Sequence, residues 1–438
     1  MDIKNYMQRK KFWINDFFHG GKMWSAFKDI DYIYTNLQEG EVIRQQYLSE
    51  ILQFAKANTA FYANVKGDHL SDFPIINKQT ILDNRENFLV KEDRIPRQEG
   101  PLHIQKTSGS SGTPFSLPQD TFCRVRRIAQ IKYANELIGF HSYMPLMHLR
   151  AHKRHGYDVD YLYNKELNIL YVDNGNIDDK KAGEICDLIN RHHIRFIRGY
   201  MTTLDIITQF VVANDIKLLT MPTFISVGEL LKEQLRQRVI SMGCKIISQY
   251  GNEENGVFGQ SEINGIGSDI TLYRANCYME ILKFDIDEPC QLGELGRIVV
   301  TDLTNYAMPM IRYEIGDCAQ VGKVSNGILL SIKKLAGRKT DLIVKTNGET
   351  IDFFNTLPAS IVFNDELIQQ FQFIQKSSRQ YEFKIVLTDK NFFDKSFFEK
   401  IVKQIVGDDA DVAVCFVNSI PLMASGKRKV IINEWKNS

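Results

Sequence analysis

Between residues 41 and 65, apolar side chains return every three to five positions, at Val42, Tyr47, Ile51, Phe54 and Ala55. That spacing predicts an amphipathic helix over 41–65. Pro74, Pro96 and Pro101 break the pattern and open a loop-rich stretch. From 100 to 330, short β-branched runs alternate with helical ones. TFISV at 223–227 predicts a buried strand. GELLKEQLRQRVISMG after it predicts a helix over 228–243, with Leu231, Leu235 and Val239 on one face and Gly243 as its stop. KIISQ at 245–249 predicts the next strand, and strand–helix–strand of this length predicts an α/β layer. Near 340 the charged, glycine-punctuated LAGRKTDLIVKTNGETI marks a boundary. Beyond it QFQFIQ, YEFKIVLT, SFFEKIVKQIVG and DVAVCFVN predict strand, strand, helix and strand. The expected fold class is α/β: a large multi-layer N-terminal domain of α/β sheets, 1–340, and a small α+β C-terminal domain, 341–438.

Composition narrows the function classes. A chain of 438 residues is long enough for two to three domains. Its 54 Lys and Arg against 53 Asp and Glu leave a net charge of +1, without the basic excess of a dedicated nucleic-acid binder. Seven scattered cysteines with no CxxC pair suit reduced thiols better than a disulfide framework. The N-terminal MDIKNYMQRKKFWINDFF is charged throughout, unlike a signal peptide, and no run approaches the ~18–20 apolar residues a membrane span needs. The expectation is a cytoplasmic protein with no nucleic-acid partner and no membrane span.

The strongest local feature is TSGSSGTP, Thr107 to Pro114, flanked by two strand-like segments. Gly109 and Gly112 let the backbone curl so that N–H groups point inward, and the hydroxyls of Thr107, Ser108, Ser110, Ser111 and Thr113 add donors without fixed charge. Such a nest suits a triphosphate. It is not a Walker A loop, since no Lys follows the second glycine. On its own it reads also as a flexible Ser/Gly hairpin turn, the lesser of the two readings.

TSGSSGTP resembles the phosphate-binding loop of the adenylate-forming ligases, the superfamily of acyl-CoA synthetases and carrier-loading adenylation domains. Four more segments resemble that family's signatures in the same order: YGNEENG at 250–256, YEIGD at 313–317, GRKTDLI at 337–343 and PLMASGKRK at 421–429. GELGRIVVTDLTNYAMPMIRYEIGD and DFPIINKQTILDN are most similar to the phenylacetate–CoA ligase branch, which includes ligases from capsule loci. The resemblance implies an ATP-dependent carboxylate ligase. It forms an acyl-adenylate with release of pyrophosphate, then transfers the acyl group to CoA. An amine, a hydroxyl or a carrier protein acting in trans are alternative acceptors, and a catalytically inactive nucleotide-binding relative is the alternative outside enzymology. ATP, Mg2+ and CoA are the implied cofactors and co-substrates, and a small carboxylic acid the substrate.

The same resemblance assigns roles. Lys427 becomes the cation bridging carboxylate and phosphate, where it would otherwise be a lysine of a basic tail. Thr107, Ser108, Gly109, Ser110, Ser111, Gly112 and Thr113 hold the phosphates. Tyr250 stacks on adenine with Gly251 keeping the turn tight, and Glu254 is catalytic as the magnesium-binding glutamate. Asp317 accepts from the ribose hydroxyls and Arg338 grips ribose or phosphate. Gly228 and Glu229 either border the adenine or simply begin a helix. Asp341 is the hinge of a mobile C-terminal lid carrying the lysine. Two positions depart from the family pattern: no lysine adjoins Pro114, and Glu253 stands where a Thr or Ser normally touches the α-phosphate. The stretch 141–163, with His141, His148, His152 and His155, reads as a solvated basic loop or as a contact for CoA phosphates, the acid or a metal; Tyr200 is a candidate for the acyl pocket.

Overall fold

A computed structural model describes residues 3–107, 115–150, 160–175, 177–267, 269–338, 342–351, 353–357, 368–387, 394–421 and 430–435. The chain forms two compact units, Met1–Ile315 with Ala319–Leu335, and Gly316–Cys318 with Ala336–Ser438.

In the first unit a hairpin, β1 (His103–Thr107) and β2 (Phe115–Gln119), is followed by the strands of a long sheet: β3 (Leu146–Leu149), β4 (Tyr161–Asn164), β5 (Ile169–Val172), β6 (Phe196–Tyr200), β7 (Thr223–Val227), β8 (Lys245–Asn252), β9 (Gly256–Gln260), β10 (Ile270–Leu272), β11 (Cys277–Leu282), β12 (Leu295–Asp302) and β13 (Tyr313–Val321). A small hairpin of β14 (Val324–Ser325) and β15 (Ile328–Leu329) leads to β16 (Ser331–Arg338). The sheet order is β11-β12-β13-β16-β10-β9-β8-β7-β6-β3-β5-β4.

From β5 through β3, β6 and β7 to β8 the neighbours run parallel. Parallel neighbours need crossovers; helix Asp179–Arg191 lies between β5 and β6 in the chain, Met201–Ala213 between β6 and β7, and Glu233–Ser241 between β7 and β8. Their apolar faces and the sheet share one core that includes Ile189, Leu204, Phe224 and Val239. The buried run TFISV is β7, as its lack of alternation predicts for a strand covered on both faces. Beyond β8 the pairing turns antiparallel.

Two expected helices are shorter than their patterns. The helix expected over 41–65 spans Leu37–Asn58; it buries Leu48, Ile51, Leu52 and Ala55 but leaves Val42 71% exposed. The helix expected from 228 starts at Glu233, because Gly228 takes a left-handed φ of 70° that no helix accepts. Gly243 ends that helix at φ 72°, as expected.

The second unit pairs β17 (Ile343–Val344) with β18 (Thr350–Ile351), beside a four-stranded sheet. That sheet contains β19 (Ile368–Gln375), β20 (Gln380–Leu387), β21 (Asp411–Phe416) and β22 (Ile431–Asn433), ordered β21-β20-β19-β22. Helix Lys395–Val406, capped by Asp394, buries Phe398, Val402 and Val406 in the same core as Phe373 and Phe383. Fully buried Gln375 ties β17 into this unit: Val344 N donates to its Oε1 at 2.9 Å and its Nε2 donates to Val344 O at 2.9 Å. The fold class is the α/β arrangement with a small α+β C-terminal unit that the sequence predicts. Among the described residues no helix is long and apolar enough to cross a membrane.

Candidate functional site

β1 and β2 pair antiparallel from His103↔Gln119 to Thr107↔Phe115, so the segment 108–114 joins two strands held in register. Ser108, Gly109, Ser110, Ser111, Gly112 and Thr113 lie outside the described residues. The base of the hairpin is tied down on both sides. Arg85 donates to Ser116 O at 2.6 Å, and Asn305 Nδ2 donates to Pro118 O at 3.0 Å. Just after β2, fully buried Asp120 caps helix Thr121–Leu137 by accepting from Cys123 N at 2.8 Å. Its other oxygen accepts from Tyr306 N at 2.6 Å and Ala307 N at 3.2 Å. Burial pushes the Asp120 carboxyl up, against those three backbone donors, which pull it down.

YGNEENG forms the turn between β8 and β9. Gly251 is required there: a Cβ would lie 2.3 Å from Gly256 O and 2.9 Å from Val257 Cα. Gly251→Ala is therefore expected to destabilise the protein by about 1–3 kcal/mol, read as a lower urea midpoint at unchanged slope. Tyr250 is 7% exposed and packs against Phe258 with ring centroids 5.4 Å apart. Asn252 Oδ1 accepts from Asn255 N at 2.7 Å, closing the turn.

Two side chains fix the acidic pair. Gln105 Nε2, on β1, donates to Glu253 Oε2 at 2.6 Å, so this carboxylate is drawn toward the strand that leads into TSGSSGTP. Arg127, from helix Thr121–Leu137, donates to the backbone carbonyls of Glu253, at 3.4 Å, and of Glu254. The same guanidinium pairs with Asp302 at 2.9 Å, where the carboxylate is 1% exposed. Neither Arg127 nor Gln105 belongs to a motif legible in the sequence. A signal existed for the first: Arg126, Arg127 and Gln130 share the buried face of their helix with Cys123 and Ala134, and polar residues on such a face need partners.

The other candidates sit at strand ends. Gly228 and Glu229 directly follow β7. Glu229 Oε2 accepts from Thr202 N at 2.9 Å and Thr202 Oγ at 3.0 Å, at the start of helix Met201–Ala213. It thus satisfies the N-terminus of a neighbouring helix rather than beginning its own. Asp317 lies within β13, where Gly316 takes φ 87°, and Arg338 ends β16; both belong to the second unit. Asp341 and Lys427 lie outside the described residues.

Of the histidine-rich stretch, residues 151–159, with His152 and His155, also lie outside the described residues. His148 is not part of a solvated loop but a residue of β3, because LMHL completes a row of the parallel sheet. Burial, then Arg198 and Arg150, push its imidazole down to about 3. A histidine neutral when folded but protonated near pH 6.5 when unfolded contributes stability that is lost as pH falls below 6.5. Wild type is expected to lose up to about 2 kcal/mol more than His148→Gln between pH 7 and pH 5, measured by urea unfolding at both values.

Residues 343–434 match the CapK C-terminal domain family. Over 424 residues the chain is 22% identical to Protein CapK of Staphylococcus aureus, covering 90% of this chain and 89% of that protein. Among solved structures, 2-hydroxyisobutyryl-CoA ligase in its postadenylation state, in complex with R3-HIB-AMP, superposes with a TM-score of 0.66 at 13% identity, over 93% of this chain and 92% of that one. The chain thus shares its fold with 2-hydroxyisobutyryl-CoA ligase and is similar in sequence to Protein CapK. O-succinylbenzoate coenzyme A synthetase from Bacillus subtilis, in complex with AMP, superposes with a TM-score of 0.53 at 15% identity, covering 75% of this chain and 67% of that one.

The acidic turn has the donor chemistry that a nucleotide-bound magnesium ion takes. Magnesium usually takes one or two protein carboxylates and completes its shell with water and substrate phosphates. Glu253 and Glu254 are adjacent on one turn, beside the strand that leads into 108–114. Among the described residues no cluster of three or more His, Cys, Asp and Glu could hold an ion without such help.

Proposed function

We propose that the chain is an ATP-dependent carboxylate ligase that forms an acyl-adenylate and passes the acyl group to CoA. The observation that carries this reading is the coupling of two signatures by one contact: Gln105, in the strand before TSGSSGTP, holds Glu253 of YGNEENG. The fold shared with 2-hydroxyisobutyryl-CoA ligase over nearly the whole chain supports it.

In the first half-reaction a carboxylate oxygen bonds to the α-phosphorus as the bond to the bridging oxygen breaks, and pyrophosphate leaves with that electron pair. In the second, the CoA sulfur attacks the acyl carbon, AMP leaves and the thiol proton is lost to solvent. Two anions meet in the first step, so the chain's work is to supply donors and cations where charge accumulates. The backbone and hydroxyls of 107–113 cradle the phosphates. Lys427 bridges carboxylate and α-phosphate, Asp317 and Arg338 hold the ribose, and the Tyr250–Gly251 turn borders the adenine. Glu254 would hold magnesium, which would supply neutralisation of phosphate charge. Glu253 cannot play the part of a neutral hydroxyl beside the α-phosphate; its bond to Gln105 turns the charge toward β1 instead. Asp341 serves as the hinge about which the second unit moves between the two half-reactions, and CoA is the acceptor in a cytoplasmic setting.

Glu254→Ala is expected to abolish acid-dependent pyrophosphate release, and Glu253→Ala to retain most of it. Unchanged release in Glu254→Ala would move the metal to Glu253.

A further inference from the structure

Buried arginines in the first unit are paired with carboxylates: Arg44 with Glu41 at 2.8 Å, Arg127 with Asp302 at 2.9 Å, Arg297 with Glu314 at 2.9 Å and Arg312 with Glu280 at 3.2 Å. Arg198 and Arg150, half-buried residues whose Nε atoms are buried, have no such carboxylate partner among the described residues. Arg198 has one side-chain partner among the described residues, the neutral Asn135 Oδ1 at 2.9 Å, and its Nε is buried with none. Arg150 lies with its guanidinium 4.7 Å from the Tyr171 ring centroid, and its Nε is likewise buried without a partner. The Arg198 side chain keeps some accessible surface, yet burial alone lowers its pKa to about 10, with no anion raising it. His148, neutral between the two, adds no negative charge.

Register places these groups together. Tyr171, His148 and Arg198 stand side by side across β5, β3 and β6, and Arg150 follows β3 two residues after His148. Paired residues share a face of a sheet. The next row on that face is Tyr200, Val227 and Gln249, roughly 7 Å along at 3.3 Å per residue. Gln249 Nε2 is also buried without a partner among the described residues. This is the carboxyl edge of a parallel sheet, where open α/β folds take their ligands, and Gly228 and Tyr250 lie immediately beyond the same row.

A buried cation without a counter-ion is costly unless an anion completes it. We infer that Arg198, with Arg150, recognises a second carboxylate on the acid, so that the substrate is a dicarboxylic acid adenylated at its other end. This rests on the ligase reading for which end reacts, but the anion site itself can be tested without catalysis.

The test is calorimetric binding of succinate, glutarate and adipate against butyrate, valerate and hexanoate, on the full chain and on Arg198→Met, Arg198→Lys and Arg150→Met. The diacid is expected to bind at least about tenfold tighter than its matched monoacid, a preference lost in Arg198→Met and partly kept in Arg198→Lys. Without acid, Arg198→Met should melt at or above the wild-type temperature, since it removes an unpaired charge; an arginine serving only the fold would give a lower one. Should Arg198→Met fail to fold, Arg150→Met carries the same comparison. Equal binding of both acids, binding of neither, or an unchanged preference in the variants would overturn the inference. Acid-dependent pyrophosphate exchange on the same panel separates the two readings. Diacid binding without exchange would sink the ligase and leave the site standing, whereas exchange without diacid preference would do the reverse.

Discussion

Replacing Lys427 with Ala is expected to lower acid-dependent pyrophosphate release by about 10²–10³-fold, the usual effect of removing one group aimed at developing transition-state charge. The melting temperature should not change, because the role proposed for the lysine is electrostatic. The loss should be confined to the first half-reaction: thioester formation from preformed acyl-adenylate and CoA should stay within a few-fold of wild type. The physical reason is local. No lysine adjoins Pro114, so the loop 107–114 offers neutral donors only, and the cation must come from elsewhere in the chain. A variant that still releases pyrophosphate at the wild-type rate would return Lys427 to the basic tail, beside Arg428 and Lys429.

The second large effect is on structure. Arg127→Met should destabilise the protein by about 3–5 kcal/mol, because it leaves Asp302 as a buried carboxylate without its ion pair. It also strips the carbonyls of Glu253 and Glu254 of their shared donor, so adenylation should fall beyond what lost folding explains. Arg127→Lys should recover part of the stability but less of the activity, since an ammonium cannot reproduce a planar fork that reaches three acceptors. Urea unfolding, with pyrophosphate release measured on the folded fraction, separates the two losses. An unchanged midpoint in Arg127→Met would show that the turn does not depend on this guanidinium.

What was legible in the sequence followed from periodicity and turn chemistry. TFISV and KIISQ were readable as strands of an α/β layer because they are short, largely apolar runs flanking a helical pattern, and SFFEKIVKQIVG as a helix because its apolar face repeats at helical spacing. Helix ends were less legible: Val42 continues the apolar spacing yet faces solvent, and Gly228 interrupts a run that otherwise looks helical. The motifs exposed the two ends of the proposed site, TSGSSGTP and YGNEENG, but not what joins them. Gln105 and Glu253 are 148 positions apart, and Arg127 and Asp302 are 175. No local pattern encodes such pairs; they appear only once the sheet sets its register. The same holds for Arg198 and His148, which read as members of unrelated segments until β3 and β6 align them.

The central claim is that this chain activates a carboxylate through an adenylate. Its most direct measurement is exchange of labelled pyrophosphate into ATP with magnesium, across mono- and dicarboxylic, hydroxy and amino acids, beside Lys427→Ala. Exchange that appears only with acid and vanishes in the variant is the expected result. ATP binding with no exchange for any acid, or exchange that persists in Lys427→Ala, would contradict it.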